Sequence, residues 1–252
     1  MIFSSIGRAL KDTVTRPYLL LPFAVVTIIS ALVWNLILGV YDKAMSDILL
    51  YSTQLTEMNL FAVVAANYLP DLLMVVGAGL LMIFLGLIAA LSLARVVEGE
   101  KFVKAINDSM NNWGRALALT AVAFLFIVIF AAAMICIDAL SNLSAELAWV
   151  LLAILGIIMF IAWIKLGFAI PAAVKSKPKE ALANSWEFTN DKFWKTFVFV
   201  IIAIIVTGII SLIFQGITIL TDPDYEWWLM EIAGMISSTF FILAMAHYYN
   251  AE

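Results

Sequence analysis

Ala181-Leu182-Ala183-Asn184-Ser185-Trp186 is the stretch from which the fold can be read. Its pattern recurs as Ala9-Leu10-Lys11-Asp12-Thr13-Val14 and as Ala105-Ile106-Asn107-Asp108-Ser109-Met110. Each copy reads Ala, then Leu or Ile, any residue, Asp or Asn, Ser or Thr, and a large apolar residue. A long apolar run follows each within about one to three helical turns. The copies start 96 and 76 residues apart, and self-similarity at that spacing is a sign of repeat architecture. The expected fold is an all-α polytopic membrane protein with six transmembrane helices. They would form three parallel repeats (1–94, 95–173 and 174–252) of a single membrane domain, each repeat preceded by a cytoplasmic amphipathic helix.

Composition points to the same class. Of the 252 residues, 65% are hydrophobic and 13% charged, and the mean hydropathy is +1.07. Soluble domains carry roughly 45–50% apolar and about 25% charged residues, so this much apolar surface calls for lipid. A net charge of −4 gives no footprint for nucleic acid. The single cysteine, Cys136, allows no intrachain disulfide and no multi-cysteine metal site, and it falls in an expected span. Arg8, Lys11 and Arg16 precede an apolar run as in a signal peptide, but Leu19–Val40 is too long for one and ends without a small-x-small site. It reads as a retained first span.

The further spans are expected at Leu72–Ala94, Arg115–Ile137, Leu147–Ala173, Phe193–Leu220 and Trp227–Tyr249. Residues 41–59 are polar. Leu60–Ala66 is apolar but stops at Asn67 and Pro70-Asp71, so a short helix lying on the outer surface is expected there. Acidic loops carry Asp138 and Glu146, then Asp222, Asp224 and Glu226. Twelve of the fourteen Lys and Arg precede span 1 or flank the connections after spans 2 and 4. The opposite side holds Lys43, and Lys165 lies within span 4. This asymmetry predicts cytoplasmic termini, with all three hexads on the cytoplasmic side of a cell membrane. Two spans per unit make the repeats parallel, around a pseudo-threefold axis normal to the membrane.

Around the hexads, the offsets 0, 3, 4, 7, 8 and 11 trace one helix face: Ile6 to Pro17, Phe102 to Trp113 and Pro178 to Thr189. Ala9/Thr13, Ala105/Ser109 and Ala181/Ser185 set small residues four apart, which lets helix backbones approach closely. The polar position, Asp12, Asp108 or Asn184, points away from the apolar edge, free to bond a neighbouring helix end or lipid head-group amines. Two arrangements stay open: the helices lie separately on the inner leaflet, or they converge on the axis and close the bundle.

The third unit carries more than periodicity. Lys179 to Lys195, KEALANSWEFTNDKFWK, resembles the E-A-L-x-x-S-W-x-x-x-x-x-x-F-W-[KR] stretch of the membrane domain fused to glycerophosphoryl diester phosphodiesterases, and of related six-span bacterial and archaeal proteins. Trp113 in the second unit comes a turn early for this pattern. In that group the hydrolase chemistry belongs to a separate soluble barrel. The resemblance therefore implies a membrane module and carries no warrant for enzyme activity.

No H-E-x-x-H, Walker A or G-x-S-x-G occurs. His247 stands at a span end beside Tyr248 and Tyr249 and reads as an interfacial anchor. Lys165 is the candidate functional charge; otherwise it snorkels or pairs with Asp108, Asp12 or Glu98. The expected function is a non-catalytic scaffold, lipid-organising or accessory module, with membrane lipids as partners and no cofactor. A protein partner or homo-oligomer stays open. The alternative is a transporter or channel for a small solute or lipid, with Lys165 at its site. Against it, the carrier signature P-x-[DE]-x-x-[KR] is absent.

Overall fold

The computed structural model describes residues 1–51, 57–141, 144–221 and 225–251, so Asp222 and Asp224 lie outside the described residues. Among the described residues, ten α-helices follow in chain order. They are α1 Ile2–Thr15, α2 Leu21–Tyr51, α3 Glu57–Val97, α4 Phe102–Asn111, α5 Trp113–Ser141, α6 Ala145–Gly167, α7 Ala169–Lys175, α8 Pro178–Asp191, α9 Phe193–Thr218 and α10 Glu226–Ala251. A 3-10 turn at Pro17–Leu20 joins α1 to α2.

Among the described residues, six segments are long and apolar enough to cross a membrane: Pro17–Val40, Tyr68–Val97, Trp113–Met134, Glu146–Lys175, Phe193–Thr218 and Glu226–Ala251. Each coincides with an expected span, its ends shifted by a few residues. Large apolar side chains such as Leu21, Val25, Ile28, Leu32, Leu125, Ile129, Ile157 and Leu212 are exposed along them. In water such a belt would drive aggregation; against acyl chains it is the ordinary surface of a spanning helix.

One local expectation is corrected. The separate surface helix at Leu60–Ala66 does not exist: α3 runs unbroken over 41 residues with Pro70 inside it. Near Pro70, Lys43 of α2 lies 3.9 Å from Asp71 of α3. Tyr68 Oη donates to the Lys43 carbonyl at 3.1 Å. The first hairpin is thus a helical pair longer than a ~30 Å hydrocarbon core requires. Its surplus length accounts for the 96-residue first interval beside the 76-residue second one.

The fourth span is not one straight helix. α6 stops at Gly167 and α7 restarts at Ala169. Pro171 lacks the N–H that would bond the Gly167 carbonyl four residues back, and its ring crowds that carbonyl.

The core sits at the end of the bundle where this break lies. Phe168, Phe199, Phe240, Leu243 and Tyr248 are fully buried there. The Phe199 and Tyr248 rings stack 4.2 Å apart, and Phe188 of α8 meets Phe168 at 5.3 Å. Stacked and tilted pairs of this kind add to simple area burial.

The three short helices are seated at this end. α1 packs on α10, α4 on α3, and α8 on α6 and α7. Their buried residues stand at matching hexad positions: Ala9, Ala105 and Ala181 are fully buried, Ser109 and Ser185 nearly so, and Thr13 is buried. A residue without a long side chain at these places lets each short helix lie close against its span.

Candidate functional site

The seat of α8 is fixed by the break in the fourth span. Lys165 stands in the last turn of α6, where carbonyls run out of helical N–H partners. Ser185 Oγ of α8 donates to the Lys165 carbonyl. The Lys165 ammonium donates to Asn190 Oδ1 and stands 4.0 Å over the Trp186 ring. Neither Asp12, Asp108 nor Glu98 is its partner. Asn184 is exposed. α8 itself starts on Pro178, and Glu180 Oε2 accepts from the Lys177 N–H at 3.3 Å.

The seat of α1 is charged. Asp12 Oδ2 lies 2.9 Å from His247 Nε2 in the last turns of α10, and Asp12 Oδ1 lies 3.6 Å from Arg16. Both Asp12 and His247 are largely buried. Beside the pair opens a cavity of about 310 Å³, its rim formed by Arg8, Lys11, Asp12, Thr15 and Arg16. Its floor is Leu19 from the start of the first span, Val96 and Val97 from the end of α3, and Leu243 from α10.

The seat of α4 is plainer. Asp108 is half-buried, its carbonyl accepting from Asn112 Nδ2 at 2.8 Å. Ser109 Oγ is buried with no hydrogen-bond partner among the described residues. Tyr18 meets Phe102 edge to face at 5.1 Å.

Polar ties join the span ends between these seats. Lys175 at the end of α7 pairs with Glu98 at 3.3 Å and donates to Asn250 Oδ1 at 3.0 Å. One chain of contacts therefore links the ends of α3, α7 and α10. Arg115, at the start of α5, donates to the Ala173 and Val174 carbonyls at 2.6 and 2.8 Å, a cationic cap on the C-terminus of α7. Arg95 pairs with Glu100 at 3.2 Å.

Sequence reasoning missed the Asp12–His247 pair and the cavity beside it. The signal was present: the chain's one histidine sits at a span end, and an acidic residue occupies the polar position of the first hexad. What joins them is the packing of the first helix on the last, which no local pattern reveals. Three further cavities are apolar. One of about 320 Å³ lies between α2, α3 and α4, one of about 200 Å³ between α3, α5, α6, α7 and α8, and one of about 390 Å³ between α3 and α5. Lys165 lines none of the four.

Residues 140–249 match the family described as the membrane domain of glycerophosphoryl diester phosphodiesterase. The match takes in α6 to α9 and α10 as far as residue 249, including the segment around Ser185 and Trp186. No curated protein and no solved structure matches the chain.

Proposed function

We propose, from the match to a membrane domain over residues 140–249, that the protein is a non-catalytic integral module of the plasma membrane that organises lipid around its bundle. Both termini and the three short helices lie on the cytoplasmic side. The observation that carries this reading is where the charges stand. Among the described residues, the Asp, Glu, Lys and Arg of the six spans occupy their first or last two turns, Lys165 apart. The Lys165 ammonium is held by Asn190 and Trp186 of a short helix. A route for solute normally needs several polar groups near the midplane.

Three further observations support the arrangement. The buried hexad positions coincide in α1, α4 and α8, which favours three amphipathic repeats around one axis. Each of the later short helices seats on the second span of the unit before it, and α1 seats on α10, the second span of the last unit. The ring of seats is thereby closed. Lys and Arg accumulate on the side of these helices, as they do on cytoplasmic faces.

The test is lipid selectivity. In proteoliposomes of the full chain, spin-labelled phosphatidylglycerol should be motionally restricted in preference to phosphatidylcholine, with no hydrolysis of a glycerophosphodiester. Equal restriction of the two lipids, or hydrolytic turnover, would overturn the proposal.

A further inference from the structure

We infer that the cavity between α1, α3 and α10 is a binding site for a phosphate ester, supplied by the head group of an anionic phospholipid. This deepens the lipid-organising reading and rests on it.

The cavity has the two halves that such a ligand needs. Its rim brings Arg8, Lys11 and Arg16 together against the one carboxylate of Asp12. That carboxylate is already engaged by His247 at 2.9 Å and by Arg16 at 3.6 Å. Arg8 gives its Nε to the Ser4 carbonyl at 3.3 Å, which leaves its terminal guanidinium nitrogens and the Lys11 ammonium without partners among the described residues. Arg8 and Lys11 are three apart on one helix, so both reach the same side of it. Unspent guanidinium and ammonium donors over one small space are a phosphate-binding arrangement.

The floor explains why the phosphate comes on a lipid. Leu19, Val96 and Val97 are apolar and belong to span ends, and Leu243 lies about two turns inside the last span. They set the cavity at the boundary between hydrocarbon and water, the depth of lipid phosphates. Basic pockets between spans on the cytoplasmic side are where anionic head groups are held. The contrast with the other seats argues against a general surface effect: the cavities at α4 and α8 are lined by residues such as Phe102, Ile106 and Leu182, without a charged group.

The test uses the full chain in proteoliposomes, wild type beside the double variant Arg8→Gln/Lys11→Gln. A second double variant, Lys101→Gln/Lys104→Gln at the N-terminal end of α4, removes as much charge away from the cavity. Each basic residue in contact with the bound phosphate contributes a factor of about five in affinity, an effect that falls off within a Debye length of that phosphate. The first variant should therefore lose about 25-fold in selectivity for phosphatidylglycerol over phosphatidylcholine, and the second should keep it. Added inorganic phosphate should displace the labelled phosphatidylglycerol from wild type. Wild-type selectivity retained in Arg8→Gln/Lys11→Gln, or lost equally in both variants, overturns the site while the lipid-organising reading stands. No selectivity in wild type sinks that reading itself. Broadening of the ³¹P signal of inorganic phosphate by a wild type that shows no lipid selectivity overturns the lipid as the source.

Discussion

Gly99 ends α3 with φ +96°. Its N–H bonds the Val96 carbonyl at 3.0 Å, and the Glu100 N–H bonds the Arg95 carbonyl at 3.1 Å. This pair of bonds is a Schellman ending, which needs a residue free of a Cβ in the left-handed region. A Cβ at 99 would meet nothing within 4 Å, so Gly99→Ala isolates the backbone term. Its expected cost is about 1 kcal/mol, to be read from unfolding in detergent; an unchanged midpoint would refute the strained turn. Ser185 tests the other kind of local constraint. Ser185→Ala leaves the Lys165 carbonyl without its donor and should cost about 1–2 kcal/mol. Thr207→Val, which removes only a bond to the Ile204 carbonyl within an exposed turn of α9, should cost far less. Equal losses in the two variants would mean that the α6–α8 bond carries no special weight.

Among the elements, the span ends were legible because hydrocarbon imposes a length of about 20 apolar residues. Phe193–Leu220 was expected and Phe193–Thr218 is observed. The break in the fourth span was half legible. Pro171 was visible in the sequence, but a proline acts on the carbonyl four residues back, so the break falls at Gly167–Phe168 and not at the proline. The uninterrupted α3 was misread for the opposite reason. Pro70-Asp71 resembles a stop signal in water, yet Pro70 lies inside a helix that α2 accompanies. The Asp12–His247 pair was illegible, since it joins residues 235 apart. The break makes its own prediction. Pro171→Ala restores the missing N–H and should fuse α6 with α7, so spin labels at Glu146 and Lys177 should move apart. An unchanged distance distribution would show that α8, through Ser185 and Asn190, imposes the break instead.

At the scale of the molecule, the closed ring of seats has a consequence for how the chain lies in its membrane. If α1, α4 and α8 all seat at one end of the bundle, the connections after the odd-numbered spans must emerge at the other. Lys179 in α8 and Thr221 beyond α9 then lie on opposite faces, with Lys179 inside in the proposed topology. Single-cysteine variants can read this directly. Cys136 is the only native thiol and lies exposed in α5, so Cys136→Ser provides the background. With a membrane-impermeant maleimide, a Thr221→Cys variant should be labelled in intact cells. A Lys179→Cys variant should be labelled only after the membrane is opened. An arrangement in which α8 lies on the outer face would reverse the two, and labelling of both in intact cells would place them on one side and break the two-spans-per-unit count. The same labelling at Ser4 joins the N-terminal helix to the argument: α1 packs on α10, so the Ser4→Cys variant must behave as Lys179→Cys does. A difference between them would separate the first short helix from the third and remove the basis for reading them as equivalent.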